Sequence, residues 1–148
     1  MGDSLADLGV RDLPSLLQSG DALVVNDTKV LPCRLTGKRR DAKVEITLHN
    51  PVDRATWLAF ARPARKLKPD DVIIFADGFE ARVSEKRDAG EVSLTFNHTG
   101  PDLMSALEAH GHMPLPPYIK RNAGGLDTDK SHYQTLFAAT PGAAAAPT

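Results

Sequence analysis

Hydrophobic and polar residues alternate through the middle of this chain. In residues 43–50, Val44, Ile46 and Leu48 fall on one face, and Glu45, Thr47 and His49 on the other. The same period of two returns in residues 79–84 and 91–96, where Val92, Leu94 and Phe96 share a side. Successive side chains of an extended strand point to opposite faces, so each segment predicts a strand with one covered and one wet face. Residues 56–61 and 72–75 are less amphipathic and predict more deeply buried strands. Asp77-Gly78, set between Phe75 and Phe79, marks a tight hairpin, and Asp88-Ala89-Gly90 marks another turn. Short strands with regularly spaced turns and no helix between them predict an antiparallel barrel or sandwich over residues 22–97.

The flanks follow other rules. Leu13, Leu16 and Leu17 have helical spacing and predict a helix over residues 11–19, with Asp12 placed to cap it and Gly20 to stop it. Pro14 is tolerable in a first turn. Ala22-Leu23-Val24-Val25-Asn26 predicts a short buried strand. Asn26-Asp27-Thr28 predicts a turn closed by side-chain-to-backbone bonding, after which residues 30–35 resume an extended path. Beyond Pro101, Leu103, Ala106 and Leu107 form one stripe of a helix over residues 102–110, ended by Gly111. A polar loop at residues 122–129 precedes a second short helix over 131–138, capped near Asp129 or Ser131.

Between these helices runs Gly111-His112-Met113-Pro114-Leu115-Pro116-Pro117-Tyr118-Ile119-Lys120-Arg121. Prolines fix φ and lack an N–H, which excludes a helix interior or a central strand. The expectation is a stiff extended arm with free amides, displaying His112, Tyr118, Lys120 and Arg121. A proline-rich linker is the alternative.

Composition narrows the classes. At 148 residues and 41% hydrophobic, the chain can bury a core of its own. Its 18 basic and 19 acidic residues exclude a polycation but permit a local basic patch. Aromatic content of 5% argues against a platform of many stacked rings. Cys33 is the sole cysteine, so an intrachain disulfide is impossible, and a buried inert thiol is expected. The chain shows neither a long apolar run nor a leader pattern, and a soluble cytoplasmic protein is expected. The small apolar tail Gly142-Ala143-Ala144-Ala145-Ala146-Pro147-Thr148 reads as a chain interrupted on its way into a structural element.

Candidate chemistry sits in the polar clusters. Arg62, Arg65, Lys66 and Lys68, together with Lys38, Arg39 and Arg40, can form a phosphate-facing patch at one end of the barrel; two solvated loops are the alternative. Pro63 and Pro69 stiffen the first of these loops. Asn26-Asp27-Thr28-Lys29 packs an amide, a carboxylate, a hydroxyl and an amine into one turn, which either holds a polar ligand or satisfies its own backbone. Tyr133 and Gln134 either pack or contact a base or sugar. His110 and His112 lack a thiolate partner and the tight spacing of a zinc site, so no metal is expected.

Five blocks now stand in order: Asn26-Asp27-Thr28-Lys29-Val30-Leu31-Pro32-Cys33-Arg34-Leu35, Ala61-Arg62-Pro63-Ala64-Arg65-Lys66-Leu67-Lys68-Pro69, residues 111–119, Tyr133-Gln134-Thr135-Leu136-Phe137-Ala138, and the segment from Pro141. Together they resemble the S-adenosylmethionine:tRNA ribosyltransferase-isomerase family of queuosine biosynthesis. The resemblance implies a mainly β chain with α/β edges, an antiparallel β-barrel lobe inserted in a partial α/β lobe. Residues 1–35 would be the edge of the α/β catalytic lobe, 36–100 the barrel, and 101–148 a truncated return segment. Family members are well over twice this length, so a fragment is expected. Cys33 stands where alanine is usual, and Asp70 where glycine is usual.

The implied reaction moves the ribosyl part of S-adenosylmethionine, as co-substrate, onto 7-aminomethyl-7-deazaguanine in the tRNA wobble position, with rearrangement to an epoxycyclopentanediol. The resemblance implies no metal, no membrane, a cytoplasmic setting and a monomer at full length. Asp27 and His112 are the candidate acid/base groups. Tyr118 and Tyr133 would stack on or bond adenine or the deazaguanine, with Asn26, Lys29, Arg34 and Gln134 completing the substrate-binding set. Arg62, Arg65, Lys66 and Lys68, with Arg34, would meet tRNA phosphates. A non-catalytic RNA-binding barrel and a protein-interaction domain using its proline arm are the rival readings.

Overall fold

A computed structural model describes residues 6–116, 118–119 and 128–144. Expectations resting on Pro117, Lys120, Arg121, residues 122–127 and the last four residues lie outside this set. A 3₁₀ turn at Val10–Asp12 leads into α1 (Leu13–Leu16), and then β1 (Thr28–Val30) follows. The central strands are β2 (Arg34–Arg39), β3 (Ala42–Pro51), β4 (Thr56–Arg62), β5 (Val72–Ala76), β6 (Phe79–Lys86) and β7 (Glu91–Phe96). After them come α2 (Gly100–His110), α3 (Asp129–His132) and β8 (Thr140–Ala143).

The six central strands close into a barrel in the order β2-β3-β4-β7-β6-β5, with antiparallel pairing throughout. Closure leaves no free sheet edge in this lobe. The alternating apolar residues fill its interior: Val44, Ile46, Leu48, Val83, Val92 and Leu94 are completely buried. Each such side chain contributes about 1.5–3 kcal/mol by leaving water. Leu67, from the loop after β4, joins the same core, as do Leu103 and Leu107 of α2. Gly37 of β2 lets the barrel shut, because a Cβ there would lie 2.7 Å from Phe75 Cδ1 and 2.9 Å from the Ile74 carbonyl oxygen.

β1 and β8 form a separate parallel pair, Thr28 opposite Thr140 and Val30 opposite Ala143. The barrel therefore interrupts a second sheet whose two strands come from either side of it in sequence. This is the inserted arrangement that the resemblance implied.

Four local expectations need correction. Residues 56–61 and 72–75 are not more deeply buried than the other strands: β4 and β5 also alternate, and Phe60 and Ile74 are exposed on the outer face of the barrel. The first helix spans only Leu13–Leu16, and Leu16 and Leu17 are exposed. An apolar stripe that covers nothing does not sustain a longer helix. Residues 22–26 form no strand and lie exposed, with Val24 at 92%. A buried strand needs neighbours on its flanks, and β1 and β8 supply none here. The second helix is Asp129–His132, earlier and shorter than expected, because the residues after it serve β1 as described below.

Candidate functional site

The strand register sorts the loops to the two ends of the barrel. β2 runs away from Arg34 and β3 returns from Ala42, so the turn at Arg40-Asp41 lies at the far end. β4 finishes at Arg62, opposite Glu45, which brings residues 62–71 to that same end. β6 and β7 also turn there, with Lys86 opposite Val92. The two basic segments expected to converge therefore do share one rim.

That rim is built by one apolar anchor and one carboxylate. Leu67 is fully buried while Lys66 and Lys68 beside it are exposed, so the anchor turns both ammonium groups outward. Arg62 and Arg65 are exposed as well. Asp71 accepts from Arg39 Nη2 and from the Lys68 amide, each at 2.8 Å, and so ties the loop to the end of β2. The Arg39 hydrogen bond holds the Asp71 carboxyl below the usual carboxylate range. Among the described residues Arg62, Arg65, Lys66 and Lys68 make no ion pair. An open depression of about 500 Å³ at this end is lined by Glu85, Lys86, Arg87, Asp88 and Glu91. Arg87 is held there by Glu85 at 2.9 Å and Glu91 at 3.5 Å.

The other candidates gather around β1. Asn26 Oδ1 accepts the Thr28 amide at 2.9 Å, the turn expected from the sequence. The Asp27 carbonyl accepts the amides of Ala139 and Thr140 at 2.7 and 3.0 Å. The Thr140 hydroxyl lies 3.1 Å from Asp27 Oδ2 as donor. Asn26 and Asp27 are exposed and Lys29 is half-buried. Tyr133, half-buried, packs on the small apolar cluster of Val30, Met113 and Leu115. Gln134 bonds both backbone groups of Val30 through its side chain.

The proline arm is not free, which corrects its expected character. The His112 amide donates to the Arg34 carbonyl at 2.8 Å, and the Arg34 amide returns a bond to His112 at 3.1 Å. Arg34 Nη2 donates to the Leu115 carbonyl at 3.2 Å. Met113 and Leu115 are buried. Prolines at alternate positions leave the residues between them able to bond and to pack, so the arm docks by one side. His112 remains half-buried, and Tyr118 is 81% exposed. The arm starts at Gly111, where a Cβ would lie 1.9 Å from the Pro32 carbonyl oxygen. Only glycine allows that approach of two backbones.

The candidates thus form two groups. Asn26, Asp27, Lys29, Arg34, His112, Tyr133 and Gln134 attach to β1 or to the start of β2. The rim loop is tied by Asp71 to Arg39, five residues and about 17 Å along β2 from Arg34 at about 3.3 Å per residue, while Arg62 falls in register with Thr36 through Glu45. Arg34 and Gln134 spend hydrogen bonds on backbone rather than presenting them. Cys33 is buried, and burial pushes its thiol up to about 11, which removes it as a nucleophile at neutral pH. Among the described residues there is no group of three or more His, Cys, Asp or Glu side chains that could hold a metal ion, and no helix long and apolar enough to cross a membrane.

Sequence reasoning missed one feature of the outer barrel face. His49 and Phe60 stack with ring centroids 4.7 Å apart. Alternation assigned His49 to the wet face, but only the register of β3 against β4 brings it to Phe60.

Comparison with known proteins gives one family. The queuosine biosynthesis protein family matches residues 2–148. A relative from Rhodospirillum rubrum, named S-adenosylmethionine:tRNA ribosyltransferase-isomerase, is 55% identical over 99% of this chain and 42% of its own length. A relative of the same name from Parvibaculum lavamentivorans is 50% identical over 99% of this chain and 43% of its own. The solved S-adenosylmethionine tRNA ribosyltransferase from Thermotoga maritima is 26% identical, covering 67% of this chain and 40% of its own, with a TM-score of 0.43. The chain spans about two fifths of the length of the curated relatives it matches. With a match along nearly its whole length, the chain belongs to the queuosine biosynthesis protein family.

Proposed function

We propose that this chain supplies the barrel and part of the α/β lobe of an enzyme that moves the ribosyl group of S-adenosylmethionine to tRNA. The acceptor is the aminomethyl group of 7-aminomethyl-7-deazaguanine at the wobble position, and the product is epoxyqueuosine, with adenine and methionine released. The observation that carries this reading is the 55% identity to a relative named for the reaction, over 99% of this chain. The division into residues 1–35, 36–100 and 101–148 goes with it, since the β1–β8 pair joins the first segment to the third.

The residues present suit the chemistry. A sulfonium acidifies its adjacent 5′ carbon, so the reaction needs a base there, and departing adenine needs a proton. Asp27, exposed beside the Thr140 hydroxyl, and His112, held by its backbone to Arg34, are the groups of this chain suited to those tasks. Asn26, Lys29, Tyr118 and Tyr133 offer polar and aromatic contacts to the nucleosides. Arg34 and Gln134 contribute by holding the arm and β1 in place. Several exposed rim cations that stand apart from the β1 group suit a long polyanion better than a small molecule, and a tRNA substrate puts the work in the cytoplasm.

Two measurements test this. Asp27→Ala and His112→Ala, placed at the matching positions of the Rhodospirillum rubrum relative, are expected to lower turnover by at least a hundredfold in one case or both. Wild-type turnover in both would remove the acid/base assignment. In this chain, a triple Arg62→Ala, Arg65→Ala, Lys66→Ala variant should bind tRNA more weakly with a flatter salt dependence. An unchanged salt slope would remove the phosphate contacts.

A further inference from the structure

The outer face of the barrel carries an aromatic pair that the reading above leaves without a task. Phe60 projects outward from β4 with 50% of its surface exposed. The inward positions beside it are filled by Ala59 and Ala61, so the core does not need its ring. His49 stacks on Phe60 at an interplanar angle of 26°. The register of β3 against β4 shifts between Leu48 and Asn50, and such a bulge re-aims the side chain within it.

The stack is held in place. His49 Nε2 lies 3.0 Å from Glu91 Oε1, and Arg87 Nη1 reaches the other Glu91 oxygen at 3.5 Å. The histidine–glutamate approach is close but not aligned as a hydrogen bond. Glu91 faces Phe60 directly across the β4–β7 pair. One face of the phenyl ring is thus backed by an anchored second ring, and half of its surface stays open to a ligand.

The surroundings select the ligand. Arg62 lies two residues further along the same outer face, about 7 Å along the strand. It is exposed and, among the described residues, makes no ion pair. Beyond it are Arg65, Lys66 and Lys68 of the rim. An open aromatic ring beside free guanidinium and ammonium groups fits a planar base joined to a phosphate chain. An apolar protein surface would bury Arg62 without a partner, at a cost in free energy.

We propose that the His49–Phe60 stack receives one unpaired base of an RNA whose phosphates run along the Arg62–Lys68 rim. The inference rests on the tRNA reading above in taking the polyanion to be RNA. It goes further in assigning a stacking site and in requiring an unpaired base.

The test uses this chain with two RNAs: a tRNA anticodon stem-loop carrying 2-aminopurine in its loop, and a fully paired duplex of equal charge. Phe60→Leu is expected to weaken the stem-loop about tenfold, to abolish the quenching of 2-aminopurine, and to leave duplex binding unchanged. Phe60→Trp should restore both stem-loop signals. The exposed site should let both variants fold, which matching circular dichroism and melting curves would verify. An Arg65→Ala, Lys66→Ala variant should weaken both RNAs and lower the salt slope. If Phe60→Leu keeps stem-loop affinity and quenching while the rim variant loses them, the stacking site is wrong and the rim reading stands. If the unsubstituted chain binds neither RNA, both fall. A protein partner lost by Phe60→Leu, with RNA binding intact, also overturns the proposal.

Discussion

Gln134 completes β1 by bonding both backbone groups of Val30. Its Oε1 accepts the Val30 amide at 2.8 Å, and its Nε2 donates to the Val30 carbonyl at 2.9 Å. The neighbouring amide, that of Leu31, goes to Ala143 on β8. A strand of three residues is thus bonded on one side by a strand and on the other by a single side chain. The segment carrying Asp27 gains its fixed position from that arrangement.

Gln134→Leu should therefore leave a donor and an acceptor of Val30, itself 1% exposed, without partners. The expected loss of stability is about 2 kcal/mol, read from the urea midpoint. Gln134→Glu should lose the donor at neutral pH and recover it as the carboxyl protonates, so its deficit should shrink on acidification. A deficit that is independent of pH would mean that the donated bond contributes nothing.

Asp70 occupies the left-handed region at φ 69°, where a Cβ is strained and glycine is at ease. Its ion pair with Arg82 spans 3.8 Å between exposed side chains and contributes little. Asp70→Gly should stabilise the chain by about 0.5–1 kcal/mol and raise its melting temperature. A lowered melting temperature would show that the carboxylate contributes more than the strain removes.

Cys33 supplies a pH dependence. Burial raises its thiol from an ordinary 9.0 to about 11, so the folded chain holds the proton more tightly than the unfolded one. This contribution is complete below pH 9 and is lost as pH rises toward 11, an order-of-magnitude effect of about 2–3 kcal/mol. Cys33→Ala should flatten that part of the profile of urea midpoint against pH. Parallel profiles for the two proteins would refute the assignment.

The barrel was legible in the sequence because its signal is local. A period of two in residues 43–50, 79–84 and 91–96 marks which side chains face inward, and Asp77-Gly78 marks where the chain reverses. Convergence of Arg39-Arg40 with the loop after β4 followed from the same logic, since antiparallel neighbours bring alternate connections to one end. The flanks were less legible. Residues 22–26 have the composition of a buried strand, but burial depends on what lies beside them.

The amino-acid order by itself determined the strand faces, the turns, the two cationic loops and the extended path of Gly111–Pro116. Only the tertiary structure decided that the arm docks through His112 and Arg34, that Gln134 serves Val30 across 104 residues, and that His49 meets Phe60. The division has a physical cause. Alternation and turn chemistry act between residues a few positions apart, whereas a cross-strand stack or a side-chain clamp depends on register and chain closure, which no local pattern encodes.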